Sequence, residues 1–167
     1  MAQRWYEQTE WSETIEEMFF KKLRRTRPVH ASQYLRIQGF FLMQTKDPKN
    51  ISVAFRLFDI LFREYPDHYV DVMFVHQELG DYFYRLGDYE KSMKHFFVVY
   101  QHNNANRSQI SPSYINFGIA RNIIAMQDSS QYKFARQLIE ERRKTLFVKE
   151  EFNFYNKLDE KLKSLGV

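Results

Sequence analysis

Proline appears only four times in this chain, at 28, 48, 66 and 112, and each falls between segments whose apolar residues recur at helical spacing. A proline can open a helix, where its missing N–H would go unpaired anyway, or follow one, but it breaks a helix interior. The four positions therefore read as joints. Between them, Ile15, Met18, Phe19 and Leu23 share one face of a helix with Ser12 as its N-cap, and Tyr34, Leu35, Gln38, Phe41 and Leu42 trace a second. Asp47 and Pro48 make an N-cap and first-residue pair, opening a third helix that runs through Val53, Ala54, Leu57, Phe58 and Leu61 and stops before Pro66. Further helices are expected at about 70–86, 89–102, 111–126, 129–144 and 148–165, the last with Phe152, Tyr155, Leu158, Leu162 and Leu165 on one face. No segment has the bounded period-two alternation of a strand. The expected fold class is all-α, and its short connections force successive helices to pack antiparallel.

Glycine is almost as scarce, and Gly39, Gly80 and Gly118 lie inside helical stretches, where each costs about 1 kcal/mol relative to alanine. Close approach of a neighbouring helix backbone is the expected reason. With 16 Phe and 11 Tyr the chain is far from the aromatic-poor composition of disordered proteins, so order is expected nearly end to end in a single domain. The absence of cysteine excludes a disulfide framework, a thiolate nucleophile and a Cys-ligated zinc site. The N-terminal residues lack the apolar stretch of a secretion signal, and no run approaches the roughly 18 apolar residues of a membrane span, so a cytoplasmic protein is expected.

The segment HQELGDYFYRLGDYEKSMKHFFVVY resembles the tetratricopeptide-repeat consensus at several fixed offsets. His76 stands where the family usually has Trp, Leu79, Gly80 and Phe83 follow in the Leu, Gly and Tyr places, Gly87 and Tyr89 form the turn, and Ser92 and Phe96 take the Ala and Phe places. A weaker upstream copy has Leu35 and Gly39, then Ala54, Phe58 and Pro66; a downstream copy has Tyr114, Phe117 and Gly118, then Tyr132, Ala135 and Ile139. The resemblance implies an α-solenoid of antiparallel helix pairs. Repeats would occupy 30–66, 70–104 and 111–144, with capping helices at 1–28 and 148–165.

It also implies that the first helix of each pair lines a groove for a protein or peptide partner. By position, the groove candidates are Arg36, Phe40 and Met43; Phe74, Gln77, Asp81, Tyr84 and Arg85; and Ile115, Ile119 and Asn122. Phe40, Phe74, Ile115 and Ile119 are equally well read as core residues, whereas Arg36, Gln77, Asp81 and Arg85 are harder to place in a core. One branch of the family clamps the terminal carboxylate of chaperones, but Gln77 and Asp81 stand where its basic and amide residues fall, and an acid repels a carboxylate. Small bacterial relatives of this kind include proteins that neutralise a toxin or regulate a signalling protein, which makes an immunity or regulatory adaptor the specific expectation.

No catalytic constellation accompanies the helices, so neither enzymatic activity nor a cofactor or metal is expected. The five histidines, His30, His68, His76, His95 and His102, lack metal-ligand spacing; Arg25 to His30 and Arg63 to His68 match a loose ribonuclease-like spacing, but Pro28 and Pro66 interrupt them. The formal charge is only +4, yet Lys21, Lys22, Arg24, Arg25 and Arg27 form a dense run behind Glu13, Glu16 and Glu17. Acids first and bases last suits the dipole of a solvated helix. The alternative is nucleic-acid binding through this run together with Arg142, Arg143 and Lys144.

Overall fold

Local signals mark the starts of the first three helices. In the computed structural model, which describes residues 4–106, 110–143 and 149–166, the side chain of Ser12 accepts from the Ile15 N–H and starts α1 (Glu13–Leu23). Pro28 opens α2 (Pro28–Gln44). Asp47 accepts from the Lys49 and Asn50 N–H groups and, with Pro48 as first residue, opens α3 (Pro48–Glu64). Next come α4 (Tyr69–Arg85), α5 (Tyr89–Asn106), α6 (Pro112–Met126), α7 (Tyr132–Arg143) behind a short 3₁₀ turn, and α8 (Lys149–Ser164). Gly87, at φ 77°, turns the chain between α4 and α5. The described residues are all-α, with no strand among them, and neighbouring helices pack in pairs. No helix among the described residues is long and apolar enough to cross a membrane.

Two compact units divide the chain, 1–75 and 76–167. In the first, α2 lies along α3 around Phe19, Leu35, Leu42, Ala54, Leu57, Phe58 and Leu61, all buried. The N-terminal segment is tied to α2 by the buried Gln38, whose amide accepts from the Gln8 N–H at 3.0 Å and donates to the Gln8 carbonyl at 2.7 Å. A glutamine on an apolar face is thus satisfied by backbone rather than by solvent. Glu16 joins α1 to α3 through Arg56, which holds its carboxyl below the usual range. Where a Cβ on Gly39 would point, the ring of Phe58 already stands.

In the second unit α6 packs on α5, α7 and α8. Its centre is Phe96, fully buried, whose ring is shared by two glycines: a Cβ would come to 2.8 Å from it at Gly80 and to 2.6 Å at Gly118. The glycines are explained by a phenylalanine ring rather than by the backbone approach expected from sequence. Ser92 Oγ donates to the Gly80 carbonyl at 2.7 Å and accepts from Asn122 Nδ2 at 2.9 Å, and Asn122 Nδ2 also reaches the Gly118 carbonyl at 2.7 Å. This small polar relay surrounds the ring and joins α4, α5 and α6. In α8, Tyr155 and Leu162 are buried and the Tyr155 hydroxyl donates to the Ser113 carbonyl, but Leu165 is 37% exposed, so the apolar face ends one turn earlier than its spacing suggests. Phe152 lies outside the described side chains.

Candidate functional site

The groove candidates separate into three kinds. Met43, Ile115, Ile119 and Asn122 are core: each is buried, and Asn122 is spent on the relay around Phe96. Their positions are explained by packing, and they present nothing to a partner. Phe40 and Arg85 are exposed, and Phe40 stands edge-on to Phe41. Gln77 is half-buried; its Oε1 is shielded from solvent and has no hydrogen-bond partner in the structure. Arg36, Phe74, Asp81 and Tyr84 are organised into ionic clusters that the sequence did not disclose.

In the first unit the centre is Asp71. It accepts from Arg36 Nε at 2.9 Å through one oxygen and from the Ser32 hydroxyl at 2.7 Å through the other. The Arg36 guanidinium lies over the ring of Phe74 at 5.2 Å. Ser32 is wholly buried and Asp71 nearly so. Both carboxylate oxygens are therefore occupied from inside the protein.

The second unit repeats the arrangement with different side chains. Asp81 pairs with Arg121 Nη2 through one oxygen and accepts from the Tyr114 hydroxyl at 2.5 Å through the other. As Phe74 does three residues after Asp71, Tyr84 follows Asp81 by three and receives the arginine: the Arg121 guanidinium is 4.1 Å from its ring centre, with Phe96 and Phe117 at 5.4 and 5.3 Å. A guanidinium so enclosed is held by cation–π attraction worth roughly 1–2 kcal/mol in a desolvated setting. Burial, then the hydrogen bond to and charge of Asp81, push the Tyr114 hydroxyl up to about 12, so it stays a donor across the physiological range. Here the hydroxyl belongs to a ring that is 39% exposed, with Arg85 and Leu86 also exposed in this unit. The carboxylate device that takes the buried Ser32 hydroxyl at Asp71 holds a partly exposed aromatic side chain at Asp81.

Tyr114 and Arg121 are the residues that sequence reasoning did not place among the candidates. Tyr114 was visible only as a repeat position, and Arg121 carries no signal beyond its type. The partnership with Asp81 spans helices and has no mark in local spacing. Elsewhere in this unit His76 and His95 meet Nδ1 to Nδ1 at 2.9 Å, with the Phe83 ring stacked on His95. Burial and the neighbouring His95 lower His76 to about 4, and burial lowers His95. His68 stands against Tyr65, and Asp71 holds Arg36 and Ser32. Among the described residues no group of three His, Cys, Asp or Glu side chains is placed to hold a metal ion. Lys144 and the side chains of Arg142 and Arg143 lie outside the described residues. No protein-family model, curated protein or solved structure matches the chain.

Proposed function

We propose that the chain is a non-catalytic, tetratricopeptide-like protein-binding module of the cytoplasm, and that its second unit engages a protein or peptide partner through Tyr114, Arg85 and the Asp81–Arg121 cluster. The observation that carries this reading is the clamped, exposed tyrosine: Asp81 fixes its hydroxyl, and Arg121, itself set against three rings, fixes Asp81. Tyrosine and arginine are the residues most enriched at the energetic centres of protein interfaces. A side chain already held in one rotamer loses little entropy when a partner covers it. Support for the repeat reading comes from the packing of Gly80, Ser92 and Phe96, which meet at the positions where the family's small residues and aromatic meet. An immunity or regulatory role toward a cognate bacterial protein is the version we favour.

The test is affinity capture from the native host with the full chain and with a Tyr114→Ala, Arg85→Glu variant of unchanged helicity. A stoichiometric protein partner retained by the parent and lost, by about a hundredfold in affinity, with the variant is the expected result. Recovery of the same proteins by both, or of none by the parent, sinks the reading.

A further inference from the structure

We infer that the corner between α1 and α2 in the first unit is a binding surface for single-stranded nucleic acid, separate from the protein-binding cluster of the second unit. Lys21, Lys22, Arg24, Arg25 and Arg27 are all exposed there, and among the described residues none has a carboxylate within ion-pair distance. The contrast inside this unit is sharp. Every other arginine in it is paired: Arg4 with Glu7, Arg36 with Asp71, Arg56 with Glu16 and Arg63 with Asp59.

The helix dipole accounts for only part of the run. Lys21 and Lys22 sit in the last turn of α1, where cations are favoured. Arg25 and Arg27 lie beyond that helix, and Arg27 is the N-cap residue of α2, at the end of a helix that disfavours cations. Its side chain makes no capping hydrogen bond, and the first turn of α2 contains no acid. Folding therefore concentrates positive charge at this corner without offsetting it.

Beside the charges is a flat aromatic surface. Tyr6 stacks on Tyr34 at 4.3 Å and 20°, and His30 stacks on Tyr34 at 6.2 Å and 24°, forming a column whose His30 end is exposed. Trp5 stands edge-on to Tyr34, and Lys22 Nζ lies 5.6 Å over the Trp5 ring, which brings one of the cations onto the rings. An acidic peptide would use the charges and leave the ring platform idle. A duplex buries its base faces. A single strand offers both phosphates for the cations and unstacked base faces for His30, which is how sequence-tolerant strand binders work. Arginine forks suit phosphate oxygens in particular.

Fluorescence anisotropy of the full chain with labelled oligouridylate and oligothymidylate tests this, with a duplex and poly-glutamate as competitors. Binding of either single strand is expected. Its logarithm should fall with the logarithm of salt at a slope of about −3.5 for five phosphate contacts, a loss of roughly a hundredfold between about 50 and 200 mM. Arg24→Gln, Arg25→Gln and Arg27→Gln together should flatten the slope to about −1.4, and His30→Ala should weaken binding about fivefold or more with the slope kept. All four positions are exposed, and unchanged circular dichroism confirms that the variants fold. No binding at the lowest salt, competition by duplex or poly-glutamate equal to that by single strand, or indifference to His30→Ala each overturns the proposal.

Discussion

The two units solve the same two problems, seating a large ring against a helix and satisfying a carboxylate away from water, and they solve them with different consequences. In the first, Phe58 faces one glycine, Gly39; in the second, Phe96 is shared by Gly80 and Gly118. In the first, Asp71 is completed by the buried hydroxyl of Ser32; in the second, Asp81 is completed by the half-exposed Tyr114. One ionic device thus takes a small buried donor in the first unit and, in the second, a donor whose ring reaches the surface. What differs is the side chain brought to the carboxylate, not the carboxylate.

The largest expected effect separates the two rings. Phe58→Ala should destabilise the first unit by about 3 kcal/mol, and Phe96→Ala the second by about 5, because the Phe96 cavity is walled by two helix backbones that cannot collapse into it as side chains do. Urea unfolding with residue-resolved hydrogen exchange assigns each loss to its unit. Equal losses would show that the shared ring confers no special dependence. A smaller effect distinguishes the carboxylates. Asp71→Asn and Asp81→Asn should each cost about 2 kcal/mol, since each takes the carboxylate from a largely buried guanidinium, but only Asp81→Asn should also release the Tyr114 ring. The comparison breaks if Asp81→Asn proves the more damaging to stability while leaving partner binding intact.

The smallest effect is a pH dependence confined to the second unit. His76 titrates at about 4 in the folded chain and near 6.5 when unfolded. On acidification the unfolded chain therefore takes the proton first. The contribution is complete above about pH 6.5 and drains away as the pH falls through 4, with His95, lowered by the same burial, adding in the same direction. Amide exchange in α4 and α5 should accelerate over this range, and His76→Gln should flatten the change. An identical acid profile in the variant would remove the histidine pair as its cause.

Much of the helix plan was legible because its signals are local. Ser12, Asp47, Pro28, Pro48 and Pro112 mark helix starts through groups within a turn of themselves, and Phe19, Leu35, Leu57, Phe96 and Ile139 follow the helical period into the core. The candidate site was legible only in part. Arg36 and Asp81 stood out as polar residues hard to place in a core, and Phe74 and Tyr84 only as groove positions; each arginine cluster then proved to be held together by neighbours in space. Met43, Ile119 and Asn122 looked like groove residues by family position and are core by burial.

By itself the sequence determined that the chain is helical, where several of its helices start, and that its helical glycines needed a close neighbour, since periodicity, capping and the cost of a helical glycine act within a few residues. Only the tertiary structure decided that one phenylalanine answers two glycines, that Asp71 takes a buried hydroxyl and Asp81 the hydroxyl of a partly exposed ring, and that among the described residues no acid pairs with three arginines at the α1–α2 corner. These are statements about residues distant in sequence. Burial and Coulomb attraction depend on separation in space, which local propensity does not encode.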